Sequence, residues 1–348
     1  MSCNIVNCVI GKINNLEKKI NNTVTGLWKT DDNKTIYSSV PTAENLVFPK
    51  VGTQYMLYQS NGSFSAGQET GAYWSSAGKN SVSFGTDNNV TGISAVVFGQ
   101  DNKVEQEAGA IVGGAFNNIT TTGAVASIIG GGISNNITNG YASAIMGSYL
   151  GQIGTTGPVI YNNFIGGGNS NKINNGNRNG IIGGTNNNLS GSDNTIAGGN
   201  NHNLSGNDNT ICGGGSNVIE TGSHSVLVGG DTNKILSGER NTISGGLSNT
   251  IGSTGSANNN CFIGGGRNNL ITNGDNSIVM GTNCDVKHSN VIMLNTSGSA
   301  KSSSNTGVIH LHTSNGLEYS GPVGATGAAT ISIPIIINGV QYFIDAHQ

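Results

Sequence analysis

The residues best suited to chemistry in this chain are two histidines. In the stretch Val308-Ile-His-Leu-His-Thr313, the alternation of a strand turns His310 and His312 to one face. They read either as surface or cross-strand histidines or, where that face meets a three-fold axis, as six imidazoles around one transition-metal ion. Little else is equipped for catalysis. Charged residues make up only 9 %, so acids are too sparse for a general acid–base pair. The glycine pairs do not form the Gly-x-x-x-x-Gly-Lys-Ser/Thr loop that cradles phosphates. Calcium-binding nonapeptides need a regularly placed Asp, which is missing. Cys3, Cys8, Cys212, Cys261 and Cys284 are scattered and odd in number, which argues for reduced thiols, with Cys212 a small apolar filler. The expectation is a chain that is not an enzyme and has no catalytic, cofactor-binding or metal-binding residues.

The elements that carry these residues are written in one recurring phrase. Residues 194–204 read Asn-Thr-Ile-Ala-Gly-Gly-Asn-Asn-His-Asn-Leu, and 209–219 read Asn-Thr-Ile-Cys-Gly-Gly-Gly-Ser-Asn-Val-Ile. Extended along the chain, the register Ile-x-Gly-Gly-x-x-Asn-x-Ile recurs thirteen times. The copies start at Val82, Val96, Ile111, Ile129, Ile145, Ile165, Ile181, Ile196, Ile211, Leu227, Ile243, Ile263 and Ile278. Each closes eight residues later on Val, Ile or Leu, from Val90 to Val286. The fourth position is Gly except at Ser148; the seventh is Asn except at Gly151, His202 and Cys284.

Gly and Asn oppose a helix, and no 3.6-residue period appears. Two short strands and two corners per phrase fit better. Gly at the fourth position permits positive φ, and Asn at the seventh tolerates a left-handed turn while bonding to nearby backbone. Stacked at strand spacing, Ile lies over Ile and Asn over Asn, so each coil templates the next. Two aliphatic side chains per coil are little interior for some fifteen ordered residues. Burial against other copies of the chain is therefore expected, as a parallel homotrimer.

The copies Val82-Ser-Phe-Gly-Thr-Asp-Asn-Asn-Val, Val96-Val-Phe-Gly-Gln-Asp-Asn-Lys-Val and Ile278-Val-Met-Gly-Thr-Asn-Cys-Asp-Val resemble the head repeat of YadA-type trimeric adhesins. The resemblance covers about residues 80–290 and implies a homotrimer of left-handed β-rolls. The inner copies depart from it. The family's third position is bulky, and here only Phe84, Phe98 and Met280 keep that bulk, which implies thinner middle coils.

Four regions follow. Residues 1–27 form an N-terminal coiled-coil helix, with Val6, Ile13, Ile20 and Leu27 at a and Val9, Leu16 and Thr23 at d. Residues 28–79, richer in aromatics and charge, form a small β adaptor. Residues 80–295 form the β-solenoid, and 296–348 a C-terminal β region with a hairpin across Asn338–Gly339. Gly321–Ala329 holds three collagen-like triplets that read as a linker. The fold class is thus an all-β homotrimeric solenoid with a short helical start.

A net charge of −3 gives no electrostatic reason for a nucleic-acid or anionic-membrane partner. No run of about 18 apolar residues offers membrane insertion, and no secretory signal is present. The expected function is a structural or adhesive fibre or spike of a virus particle, phage or large DNA virus, made in the host cytoplasm. One end would meet capsid or tail proteins, and a host receptor or glycan would be met elsewhere. The alternatives are a cell-surface adhesin lacking its anchor and, lower, an ice-binding solenoid. The spacing between coils widens after Ile119, Ile153 and Ile251, which marks 154–164 and 252–262 as candidate binding loops.

Overall fold

The computed structural model describes residues 61–68 and 77–312, apart from 121–124, 156–157, 254–257 and 308. It also describes the strands Trp28–Lys29, Thr35–Ile36, Tyr55–Tyr58, Ile331–Ile337 and Val340–Ala346. Residues 1–27, most of 28–60, the triplets at 321–329 and the Asn338–Gly339 turn lie outside the described residues, and with them the expected coiled coil. Two compact units are present, Met1–His312 and Thr313–Gln348. In the second, Ile331–Ile337 pairs antiparallel with Val340–Ala346.

The first unit is a parallel β-solenoid, and no helix is found among the described residues. Each coil contributes one short strand to each of two stacked sheets. The closing sheet has fourteen strands, from Asn89–Val90 to Lys301–Ser302. The anchor sheet runs in unbroken parallel register from Phe64–Gln68 through Val82–Thr86 to Ile309–His312. The ladder therefore extends past both 80 and 295. The phrase fades there, while the backbone pairing goes on.

Inside, one anchor faces one closing residue in each coil. Ile181 sits with Leu189 and Ile196 with Leu204, all fully buried within a single chain. This corrects the premise that other copies must shelter the aliphatic rungs: each coil closes over its own. The register is corrected as well. In the end coils the interior anchor is Ser83, Val97 and Val279, because Val82 and Val96 align with the outward Ala110, and Ile278 with Phe262. These coils have one glycine fewer between anchor and Asn. The inner coils thus gained a glycine at the third position and did not lose their bulk. Val112, Met146 and Ile182 occupy the same outward column as Phe84, Phe98 and Met280.

The interior is narrow, and asparagine fills what aliphatics do not. Asn187 is fully buried. Its Nδ2 donates to the Gly183 carbonyl of its own coil and to the Gly199 carbonyl of the next, both at 3.1 Å. Its Oδ1 accepts the backbone N–H of His202 at 3.0 Å, and its own N–H donates to Asn171 Oδ1 at 3.1 Å. The same pattern repeats at Asn102, Asn117, Asn171, Asn217, Asn233 and Asn249. Each side chain satisfies backbone groups that the corner would otherwise bury unpaired. The left-handed residue is the one before this Asn, such as Ser170, Asn186 and Asn201, and not the Asn itself. The fourth-position glycine behaves as expected: Gly184 has φ +95°, and a Cβ there would overlap the Gly199 carbonyl oxygen.

The opposite corner carries a second ladder. Asn194 donates to the Ser190 and Gly206 carbonyls at 2.9 and 2.8 Å, and its Oδ1 accepts from the Asn209 N–H at 3.0 Å. Asn163, Asn179, Asn209, Ser225, Asn241 and Cys261 continue this column. Each coil is two similar halves, anchor–Gly–left-handed residue–Asn–anchor.

The coil that departs at two positions compensates for itself. Ser148 stands where the others have Gly, and Gly151 where they have Asn. The Ser148 hydroxyl donates to the Gly168 carbonyl at 3.2 Å, the bond that an Asn at 151 would make. A Cβ on Gly151 would come within 2.7 Å of that hydroxyl.

Two outcomes follow. Asn187→Ala leaves two backbone groups, the Gly183 carbonyl and the His202 N–H, without that partner and lowers stability by about 2–5 kcal/mol in urea unfolding, whereas exposed Lys234→Ala stays within about 0.5 kcal/mol. Ser148→Gly and Gly151→Asn each destabilise alone, and the double variant recovers most of the loss, with a coupling of about 1 kcal/mol or more in a double-mutant cycle.

Candidate functional site

His310 and His312 do share a face, with ring centroids 5.8 Å apart and planes 14° from parallel. The face is the inner one. His310 continues the buried anchor column above Met293, and His312 lies above buried Asn295. Neighbouring Ile309 and Leu311 take the outer face and are exposed. Six imidazoles on an axis beyond the outer face therefore do not arise from this geometry. Among the described residues no third His, Cys, Asp or Glu joins the pair to make a metal-binding group.

His202 takes an asparagine's place in the first ladder. Its Nδ1 accepts the Asn217 N–H at 3.1 Å, while its N–H donates to Asn187 Oδ1 at 3.0 Å. Nε2 faces the Gly198 side of its own coil without a hydrogen bond of good geometry. Burial pushes this imidazole below its ordinary pKa, because a charged ring loses its hydration there and has no acceptor left for a proton on Nδ1. Cys261 and Cys284 also stand in ladder positions, and burial pushes each thiol up to about 11, far from the nucleophilic range. Cys212 is the correction: it is exposed on the outer face of the anchor sheet and fills no interior.

The two outer faces differ in kind. On the anchor sheet, outward positions carry Phe84, Phe98, Val112, Met146, Phe164, Ile182, Val228, Met280, Ile292 and Ile309, all 36 % exposed or more. Phe84 and Phe98 stack at 5.3 Å with planes 3° apart. On the closing sheet the corresponding positions are Lys103, Asn118, Asn136, Gln152, Lys172, Asn188, Asn203 and Lys234. The anchor face is apolar over most of the stack, interrupted by Thr195, Thr210, Thr242 and Ser244, and the closing face is polar apart from Val218 and Leu270.

The insertions fall at the corner between closing and anchor sheets, and the middle of each lies outside the described residues. Their ends are structural. Ile160 enters the core at 4 % exposure, and Asn258 is buried with its Nδ2 donating to the Ile271 carbonyl at 2.8 Å. A groove of about 740 Å³ lies elsewhere, along the outer face of the closing sheet beside the first corner. Ser134, Leu150 and Ser170 form one wall and Asn136, Gln152, Lys172 and Asn188 the other. The coils from Ile129 to Phe164 also expose Tyr141, Tyr149 and Tyr161, the first and last with ring centroids 5.4 Å apart. The groove is not among the insertions that the coil spacing marks; it is lined by Asn136, Gln152, Lys172 and Asn188, each one residue before a closing anchor.

The fold thus places the chain among parallel β-solenoids of about fourteen turns, the architecture of repeat-rich β-roll proteins. No protein-family model matches the chain, and no curated protein matches it significantly.

His202 makes stability depend on pH with a definite sign. The unfolded chain takes up the proton first, so this contribution is complete above about pH 6.5 and is lost as pH falls toward the lower folded value. His202→Asn, which restores the regular ladder, is expected to flatten the fall in urea midpoint between about pH 7 and 5. An unchanged fall places the sensitivity elsewhere.

Proposed function

We propose that the chain is the subunit of a homotrimeric fibre or spike of a virus particle, of YadA-head-like build, that contributes to host attachment. The observation that carries the trimer is the contrast between the two outer faces. The coil interior is complete within one chain, yet a largely apolar stripe, interrupted at Thr195, Thr210 and Thr242, remains outside it, and large exposed apolar patches mark interaction surfaces. Fourteen coils at strand spacing make the stripe about 65 Å long and, at roughly 10 Å wide, on the order of 650 Å² per chain. Two such faces approach the size of a stable interface.

The occupant must match both its length and its period. A second and third copy of the same chain, parallel and in register, do so at every coil. Closed cyclic symmetry then leaves no face open to run on into a filament. The polar closing faces point away from the axis and stay in water. The likeness of the end coils to YadA-type head repeats supports the number three. A rod of this kind, almost free of charge and built from one phrase, suits a structural and adhesive role better than a catalytic one.

The test uses residues that the single fold leaves in water. Light scattering of the full chain should give three times the 35.4 kDa of one subunit. Ile182→Asp, at a position 57 % exposed in the lone chain, should shift that mass to the monomer without loss of β-sheet circular dichroism. Mild oxidation should join Cys212 of neighbouring subunits into covalent dimers, and Cys212→Ser should abolish them. A native mass of 35.4 kDa would sink the trimer. Immunogold labelling that leaves intact particles bare would remove the virion reading.

A further inference from the structure

We propose that the groove beside Leu150 is a binding site for an acidic linear polysaccharide, with Lys172 reading a carboxylate or sulfate. This deepens the attachment reading and rests on it. The groove lies on the closing face and the first corner, away from the apolar stripe, so it stays open when the stripe is covered.

Its chemistry is that of a sugar chain's partner. Asn136, Gln152, Lys172 and Asn188 stand in successive coils one strand spacing apart, about 4.7–4.9 Å. A pyranose residue in an extended chain advances by a similar length, so consecutive sugars meet consecutive rungs. Amides suit hydroxyls because each both donates and accepts. Leu150 provides an apolar wall for the sugar's C–H face, and Tyr149 next to it exposes half its surface at the same corner. Neither residue contributes to the core.

The charge selects among glycans. Lys172 is exposed between Gln152 and Asn188 on the same sheet and makes no ion pair among the described residues. No carboxylate side chain lines the groove. A single free cation among neutral amides favours an anionic group at one sugar and hydroxyls at its neighbours. A trimer presents three such grooves, so modest affinity at each adds through avidity.

The experiment is calorimetric titration of the full chain with hyaluronan oligosaccharides, which alternate a uronate with a neutral sugar, and with dextran as the uncharged control. Hyaluronan should bind and dextran should bind more weakly. Lys172→Met should weaken hyaluronan roughly tenfold or more, the loss of one charge-assisted contact. Asn136→Ala should weaken it less. Light scattering on the same samples should show an unchanged mass. No binding of hyaluronan at millimolar concentration, equal binding of dextran, or an unaffected Lys172→Met overturns the site. The mass and particle labelling are read separately, so a trimeric fibre with an empty groove fails this inference alone.

Discussion

The constraint on which this structure depends is that buried backbone amides must find partners in a coil too narrow to hold much apolar matter. Each turn has two corners whose N–H and C=O groups are cut off from water. A buried asparagine answers both needs, its side chain donating twice and accepting once across two successive coils. Aliphatic anchors fill the space between the two amide columns. Repetition follows from this arrangement. A side chain that bonds to the coil above works only if the coil above presents the same carbonyl at the same height, so neighbouring turns constrain one another's residues.

That internal economy explains why the outer surface is free to carry function. The rungs need nothing from outside, which leaves the outward positions of the two sheets independent of the fold. One has become a largely apolar stripe and the other a mostly polar wall with a groove. The departures from the phrase fall into the same scheme. Ser148 and Gly151 exchange duties within a single coil. His202 keeps the acceptor of the asparagine it replaces and brings a titratable ring into the ladder. The insertions lengthen one corner and return to the core through Ile160 and Asn258.

Much of the fold was legible because the phrase is a local code. The closing anchors from Val90 to Val286 and the role of the fourth-position glycine could be read directly, since both follow from spacing and backbone sterics. The opening anchors of the end coils could not: one glycine fewer shifts Val82, Val96 and Ile278 to the outer face, and a one-residue slip inverts the side of every strand residue. The second ladder stayed hidden because Ser and Cys interrupt its asparagines at Ser225 and Cys261. The direction of His310 and His312 depended on which face of the last strand closes the coil, a tertiary fact that alternation alone does not hold. The groove was illegible for a related reason. It is built from residues in four successive coils that touch only after stacking.

The account is tested most directly by a side-chain-resolution map of the assembled particle or purified fibre. It should show the asparagine columns inside each chain, with Phe98, Val112, Ile182 and Val228 of three chains meeting around one axis. Outer anchor faces bare to solvent, or asparagine columns turned toward the axis, would contradict it.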